Sequence, residues 1–279
     1  MGKIAFWGMQ HGLGVTSATA ALAAYIGLEY DVRTLVSQPQ RTDGDMERFF
    51  NKTINQYNRQ FFAIGGLGLD SLERVAKSSK LERDSVKNYT LMVERNRLDL
   101  LWGSERLNRP QQSSIDAVNM IFRMAAEYYG ISLLDARSGN ENEVSNSLIE
   151  ESDLVIVCVN QNVSVLEKYF DAQKNHWPDA LRQKPHLLLM TQYDPLSKYK
   201  IKNITNKYKY KLPILTIPYN TSFKDHMNDG DIKGFFARNR YINSTNENYY
   251  FIQEVGRAAK TILHEIGINT KLKRIERGS

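Results

Sequence analysis

A single cysteine, Cys158, excludes an internal disulfide and a thiolate metal centre. The five histidines show no metal-ligand spacing, which argues against a metal site built on them. No apolar run reaches the about 18 residues that a membrane-spanning helix needs, so no integral membrane segment is expected. The opening Met1-Gly-Lys-Ile-Ala-Phe-Trp-Gly8 lacks the basic-then-apolar pattern of a signal peptide, and the expectation is a cytoplasmic protein. Charge of one sign is not in large excess either. Thirty-seven basic against 31 acidic residues give +6, which favours an acidic partner only weakly. What is present is an ordinary globular balance, 42% apolar and 24% charged over 279 residues, enough chain for a buried core and against wholesale disorder.

Short apolar runs alternate with longer helical stretches. Strands are predicted at Lys3–Trp7, Val32–Ser37, Leu98–Trp102, Ile131–Leu134, Leu154–Val159, His186–Met190 and Ile214–Ile217. Helices are predicted at Thr16–Glu29, Ile115–Tyr129 and Tyr249–Ile266, and the polar stretch from Arg41 to Glu94 reads as mostly helical, with a glycine turn at Gly65, Gly66 and Gly68. This alternation implies an α/β fold, a mainly parallel sheet with helices in the crossovers, and no internal repeat or long linker divides residues 1–279.

The segment Gly8 to Ser17 lies between the first strand and the first helix, the context in which a glycine-rich loop cradles phosphate with backbone N–H groups. Its spacing nearly fits G-x-x-x-x-G-K-[ST], but Val15 occupies the lysine position. Thr16 is placed to hold a magnesium ion and Ser17 to meet an α-phosphate. The same residues also describe a plain glycine turn with Thr16 or Ser17 as the helix N-cap. Losing the lysine removes a point charge but leaves the backbone cradle, so binding can outlast catalysis.

The loop Gln10-His11-Gly12-Leu13-Gly14-Val15-Thr16-Ser17 resembles, without a gap, the KGGVGKTT loop of the ParA/MinD superfamily of deviant-Walker P-loop ATPases. Leu133-Leu-Asp-Ala-Arg-Ser-Gly139 is similar to the family's strand that ends in an aspartate before a switch. Leu154 to Asn160 with Val165-Leu-Glu167 resembles the next strand and helix. Thr191-Gln-Tyr-Asp194 stands where the family has an asparagine-led strand exit, and Ile217-Pro218-Tyr-Asn220 resembles the I-P-x-[DN] segment that lies near the adenine. The resemblance implies a three-layer P-loop NTPase-like fold, a homodimer, and ATP with Mg2+ as cofactors. The implied nucleotide-binding residues are Gln10, His11, Gly12, Leu13, Gly14, Val15, Thr16, Ser17, Thr191 and Pro218. Thr16 and Asp135 are the implied metal residues.

Three positions depart from the family pattern. Its signature lysine falls on Gln10, its Walker lysine on Val15, and its water-positioning aspartate on Gln38. Gln38 can orient a water but cannot act as a carboxylate base. Asp43 and Asp45 are candidate stand-ins. Gln38 and Asp135 are therefore the candidate catalytic residues of an ATPase that hydrolyses slowly at best. His11 could donate to a phosphate or point outward.

Phe6-Trp7, His11-Gly12 and Val15-Thr16-Ser17 resemble the TadZ/CpaE branch, which marks assembly sites of Flp (Tad) pili; the receiver-like domain that many members carry is not expected here, since the residues open directly on the first strand. The expected function is an ATP-binding positioning factor for pilus assembly, cytoplasmic and recruited to the inner face of the membrane, with pilus-assembly proteins as partners. Two alternatives stand beside it, a ParA-like DNA segregation factor and a pseudo-ATPase scaffold. Lys198-Tyr-Lys-Ile-Lys202 and Lys207-Tyr-Lys-Tyr-Lys211 interleave cations with aromatics, which suits DNA backbone contacts with base stacking or an acidic protein surface, or else is a solvated helix face. The tail Thr270–Arg277 has only Leu272 and Ile275 as apolar anchors, too few to hold a membrane. Trp102 reads as core or partner contact, and Cys158 as a small buried hydrophobe.

Overall fold

A computed structural model describes residues 2–41, 46–52, 66–82, 84–171 and 173–271. Asp43, Asp45, Gly65, Leu272 and Ile275 lie outside the described residues.

Eight strands form one sheet in the order β3-β4-β2-β5-β1-β6-β7-β8. They are β1 (Gly2–Gly8), β2 (Thr34–Ser37), β3 (Leu91–Glu94), β4 (Leu98–Leu101), β5 (Ile131–Asp135), β6 (Leu154–Val159), β7 (His186–Tyr193) and β8 (Ile214–Pro218). Every neighbouring pair is parallel except β3 with β4. The architecture is the expected α/β sheet flanked by helices.

Strand β3 corrects the sequence reading, which placed Leu91–Glu94 in a helical stretch. The tight turn after it carries Asn96 at φ 58, a left-handed position that asparagine tolerates, and the hairpin adds an antiparallel edge to the sheet.

Both faces of the central strands are covered, so they read as unbroken apolar runs. All seven residues of β1 and all six of β6 are buried. Helix α1 (Val15–Glu29) lies under this sheet and against the helices Ile232–Arg238 and Tyr249–Glu265. Burial nearly all round explains its composition: Ala18, Ala20, Ala21, Ala23 and Ala24 let the neighbouring elements approach closely. Trp102 and Cys158 are both buried, so the core reading of each holds.

The strand order reverses beside β1, and ligands of such sheets bind at the carboxyl ends of the strands near that reversal. The glycine loop, Asp135 and Gln38 all emerge at that edge. Among the described residues no helix is long and apolar enough to cross a membrane.

Candidate functional site

The loop between β1 and α1 holds Gly12 at φ 82 and Gly14 at φ 70, both left-handed. Gly14 is the N-cap of α1, with no side chain capping the helix. Thr16 and Ser17 are therefore not caps, which corrects the plain-turn reading. They sit in the first turn, where backbone N–H groups have no intrahelical acceptor and favour an anion. A Cβ on Gly14 would also lie 3.3 Å from the Gln192 Nε2, a contact the flexible amide could yield to, so it is the left-handed φ of 70 that favours glycine.

The sheet register brings the polar residues to the loop. Ser37 pairs with Leu134 across β2 and β5, so the next residues, Gln38 and Asp135, leave the sheet side by side. Asp135 Oδ2 accepts from Thr16 Oγ1 at 2.6 Å and from Gln38 Nε2 at 2.7 Å. Gln38 Nε2 also lies 3.3 Å from Thr16 Oγ1. Burial pushes the Asp135 carboxyl up to about 7, against the pull of the Thr16 and Gln38 hydrogen bonds, and Glu47 raises it further. The Gln38 amide thus occupies the acid where the family pattern has a second carboxylate, while its Oε1 is buried without a partner.

A polar cavity of about 280 Å3 is lined by His11 to Ser17, by Gln38, Gln40 and Asp135 to Ser138, and by Gln192. A second, more apolar cavity of about 130 Å3 adjoins it, lined among others by Thr191, Ile217, Pro218, Phe223 and Phe251. The two share Gly14, Ser17 and Gln192. Strand β7 makes this join. Its register with β8 shifts between Met190 and Tyr193, and Gln192 takes φ 50, which turns that residue toward the loop.

The expected site residues separate into three groups. His11, Gly12, Leu13, Gly14, Val15, Thr16, Ser17 and Asp135 line the polar cavity, with His11 exposed. Thr191 and Pro218 line the apolar one, but the Thr191 hydroxyl donates to the Leu13 and Val159 carbonyls, so it pins the loop to β6 and β7. Gln10 lies outside both cavities, and its Oε1 accepts from Lys168 Nζ at 3.1 Å. Val15 is buried, with its Cγ2 3.0 Å from the place a Cβ on Gly8 would take.

Arg137, Gln40, Gln192 and Lys168 were not singled out from the sequence. Arg137 and Gln192 stood inside quoted motifs, so their positions were legible. Lys168 is 158 residues from Gln10 and gave no signal.

The lysine-rich segment forms the helix Ile201–Tyr208 and its flanks, with Lys198, Lys202, Lys207, Lys209 and Lys211 exposed. The interleaved rings are occupied. Tyr208 stacks on Phe170 at 4.2 Å, and the Tyr210 hydroxyl lies 3.3 Å from that of Tyr169. Tyr208 and Tyr210 are therefore packed inward and not offered to bases, which corrects the stacking expectation, and the lysines alone remain exposed along this segment.

The ATP and Mg2+ implied by the sequence resemblance fit this site in part. The Gly14 cradle, the uncapped helix start and the partnerless Gln38 Oε1 suit a phosphate chain and its water. Among the described residues no group of three or more His, Cys, Asp or Glu could hold a metal alone. Thr16 and Asp135 suit a magnesium ion whose remaining ligands are phosphate and water.

No protein-family model and no curated protein sequence matches the chain. Solved structures do. A ParA family ATPase from Chlorobium tepidum TLS superposes with TM-score 0.70 at 13% identity, covering 93% of this chain and 98% of that one. MinD in the MinC:MinD cell division complex of Aquifex aeolicus gives 0.67 at 14% identity, with 95% and 96% covered. A putative plasmid partition protein of Borrelia burgdorferi B31 bound to AMPPNP gives 0.62 at 15%, with 95% and 99% covered. At these identities the likeness shows the fold, that of ParA and MinD ATPases.

Proposed function

We propose that this chain is a ParA/MinD-like protein that binds ATP with Mg2+ and works as a nucleotide-dependent positioning factor, with slow hydrolysis or none. The observation that carries this reading is the junction of the polar glycine-loop cavity with the apolar cavity at Ile217, Pro218 and Phe223. That pairing suits a phosphate chain joined to a base. The solved relatives include a MinD bound to Mg-ADP from Pyrococcus horikoshii OT3, which supports the same ligand class here.

Within the site, the Gly12–Gly14 backbone and the α1 N-terminus would hold phosphates, and Thr16 and Asp135 would hold the metal. Bound Mg2+ would neutralise phosphate charge. Gln38 orients water through its free Oε1 but supplies no base, so turnover is slow. Binding favours a face-to-face homodimer whose surface recruits a partner. The TadZ/CpaE-like residues at Phe6-Trp7 and His11-Gly12 support a pilus-assembly protein as that partner, at the inner face of the membrane.

The test is calorimetric titration with ATP and Mg2+, alongside Thr16→Ala and sedimentation with and without nucleotide. Binding lost in the variant and a shift to dimer are expected. A second reading, a scaffold without nucleotide, is favoured by one observation: the Gln38 amide already bonds Asp135. Absence of binding at about millimolar ATP, a free energy near −4 kcal/mol, would select it.

A further inference from the structure

The glycine loop lacks both lysines that its pattern calls for, so a bound triphosphate needs positive charge from elsewhere. Arg137 is the one permanently charged cation lining the polar cavity among the described residues. It is half-buried and makes no hydrogen bond or ion pair with any described residue. No ion pair joins it to the nearby Asp135, whose Oδ2 accepts from Thr16 and Gln38. Lys168 does not compete for the role, since its ammonium is on Gln10 outside the cavity.

The segment carrying Arg137 is fixed at both ends. Ala136 N donates to Phe6 O at 2.9 Å, and Gly139 N donates to Gly8 O at 2.9 Å. The buried Trp7 indole also reaches across, its Nε1 donating to Gly139 O at 2.9 Å. These three bonds tie the switch to β1, the strand that launches the glycine loop. The backbone that carries Arg137 and Ser138 is therefore anchored on both sides beside the cavity, and binding has only the Arg137 side chain left to order. Arg137 lines the polar cavity and not the apolar one, so a base in the latter places the terminal phosphates toward Arg137.

We propose that Arg137, from the switch after β5, supplies within one chain the phosphate-binding charge that Val15 and Gln10 no longer provide. The inference rests on the nucleotide reading above and names how the site recognises a triphosphate. A guanidinium suits the task because it offers paired donors to phosphate oxygens and stays charged at every working pH.

The test measures Kd for ATP and ADP with Mg2+ by calorimetry, over a range of salt, for wild type, Arg137→Ala, Arg137→Lys and Thr16→Ala. Arg137→Ala is expected to weaken ATP about 10- to 100-fold, the size of a charge-assisted hydrogen bond, and ADP much less. It should also flatten the salt dependence of ATP binding. Arg137→Lys should recover part of the loss, since it restores charge without the paired donors. Equal thermal midpoints for wild type and Arg137→Ala would show that the fold is unchanged.

Three results would overturn the proposal. If Arg137→Ala binds ATP within about twofold of wild type while Thr16→Ala does not bind, the site is real and Arg137 has no part in it. Equal losses for ATP and ADP with an unchanged salt slope would reduce Arg137 to a structural residue. If wild type binds neither nucleotide, the nucleotide reading falls first and this inference with it.

Discussion

Asp135→Asn isolates the energetic consequence of a carboxyl held in the dry end of the glycine-loop site. Only 4% of the residue is exposed, and burial raises its carboxyl to about 7 from an ordinary 3.8. Between those values the unfolded chain releases a proton that the native state keeps. Protonation therefore favours the fold: the contribution is complete below about pH 4 and is lost as pH rises through about 7. Each pH unit across that interval costs the native state about 1.4 kcal/mol, so the total is about 4 kcal/mol.

Asparagine cannot ionise and keeps an oxygen for the hydrogen bond from Thr16 or Gln38. Urea unfolding of both proteins between about pH 4 and about pH 8 reads the effect, and the difference between them cancels the titrating groups that are not coupled to Asp135. The variant should gain on wild type by up to about 4 kcal/mol across the interval and then run parallel to it. Parallel curves throughout would refute the reasoning, because the carboxyl would then ionise alike in both states. On the nucleotide reading, Mg-ATP favours the ionised carboxylate, so wild type should release a proton on binding near neutral pH and Asp135→Asn should not.

Other outcomes follow from single contacts. Thr191→Val removes the bonds to the Leu13 and Val159 carbonyls, and chemical unfolding should show a loss of about 1–3 kcal/mol. In Gly103→Ala the new Cβ would lie 2.0 Å from the Gln38 backbone oxygen and 2.9 Å from that of Pro39, so the thermal midpoint should fall and, on the nucleotide reading, ATP binding with it. Trp7→Phe deletes the bond to the Gly139 carbonyl. It should cost about 1–2 kcal/mol and speed amide exchange at Gly139. The buried Cys158 thiol, its ionisation suppressed by burial, should react with a thiol reagent only as fast as the protein unfolds.

Much of the fold was written locally. Strands β1, β5 and β6 are short runs buried throughout, and β7 and β8 are buried except for His186, Gln192 and Ile214, so their apolar character stood out against the helices between them. Strand β3 did not stand out, because Leu91-Met-Val-Glu94 is an edge strand with Met92 64% exposed, and its pairing partner rather than its composition makes it a strand. The glycine loop was equally legible, since a turn that needs left-handed backbone at Gly12 and Gly14 selects glycine in the sequence itself.

The sequence alone determined the α/β order, the glycine loop and the residues Gln10, Val15 and Gln38 that stand where the resembled pattern has charged groups. Tertiary structure decided what those substitutions do. Whether Gln38 meets Asp135 depends on the register of β2 against β5, and whether Lys168 meets Gln10 depends on a helix folded back across 158 positions. Likewise, Arg137 comes to line the cavity where the segment after β5 is bonded to β1 at Ala136 and Gly139. Local spacing encodes which backbone conformations a segment can adopt. The neighbours of a side chain are set by long-range pairing, which no single stretch of the sequence contains.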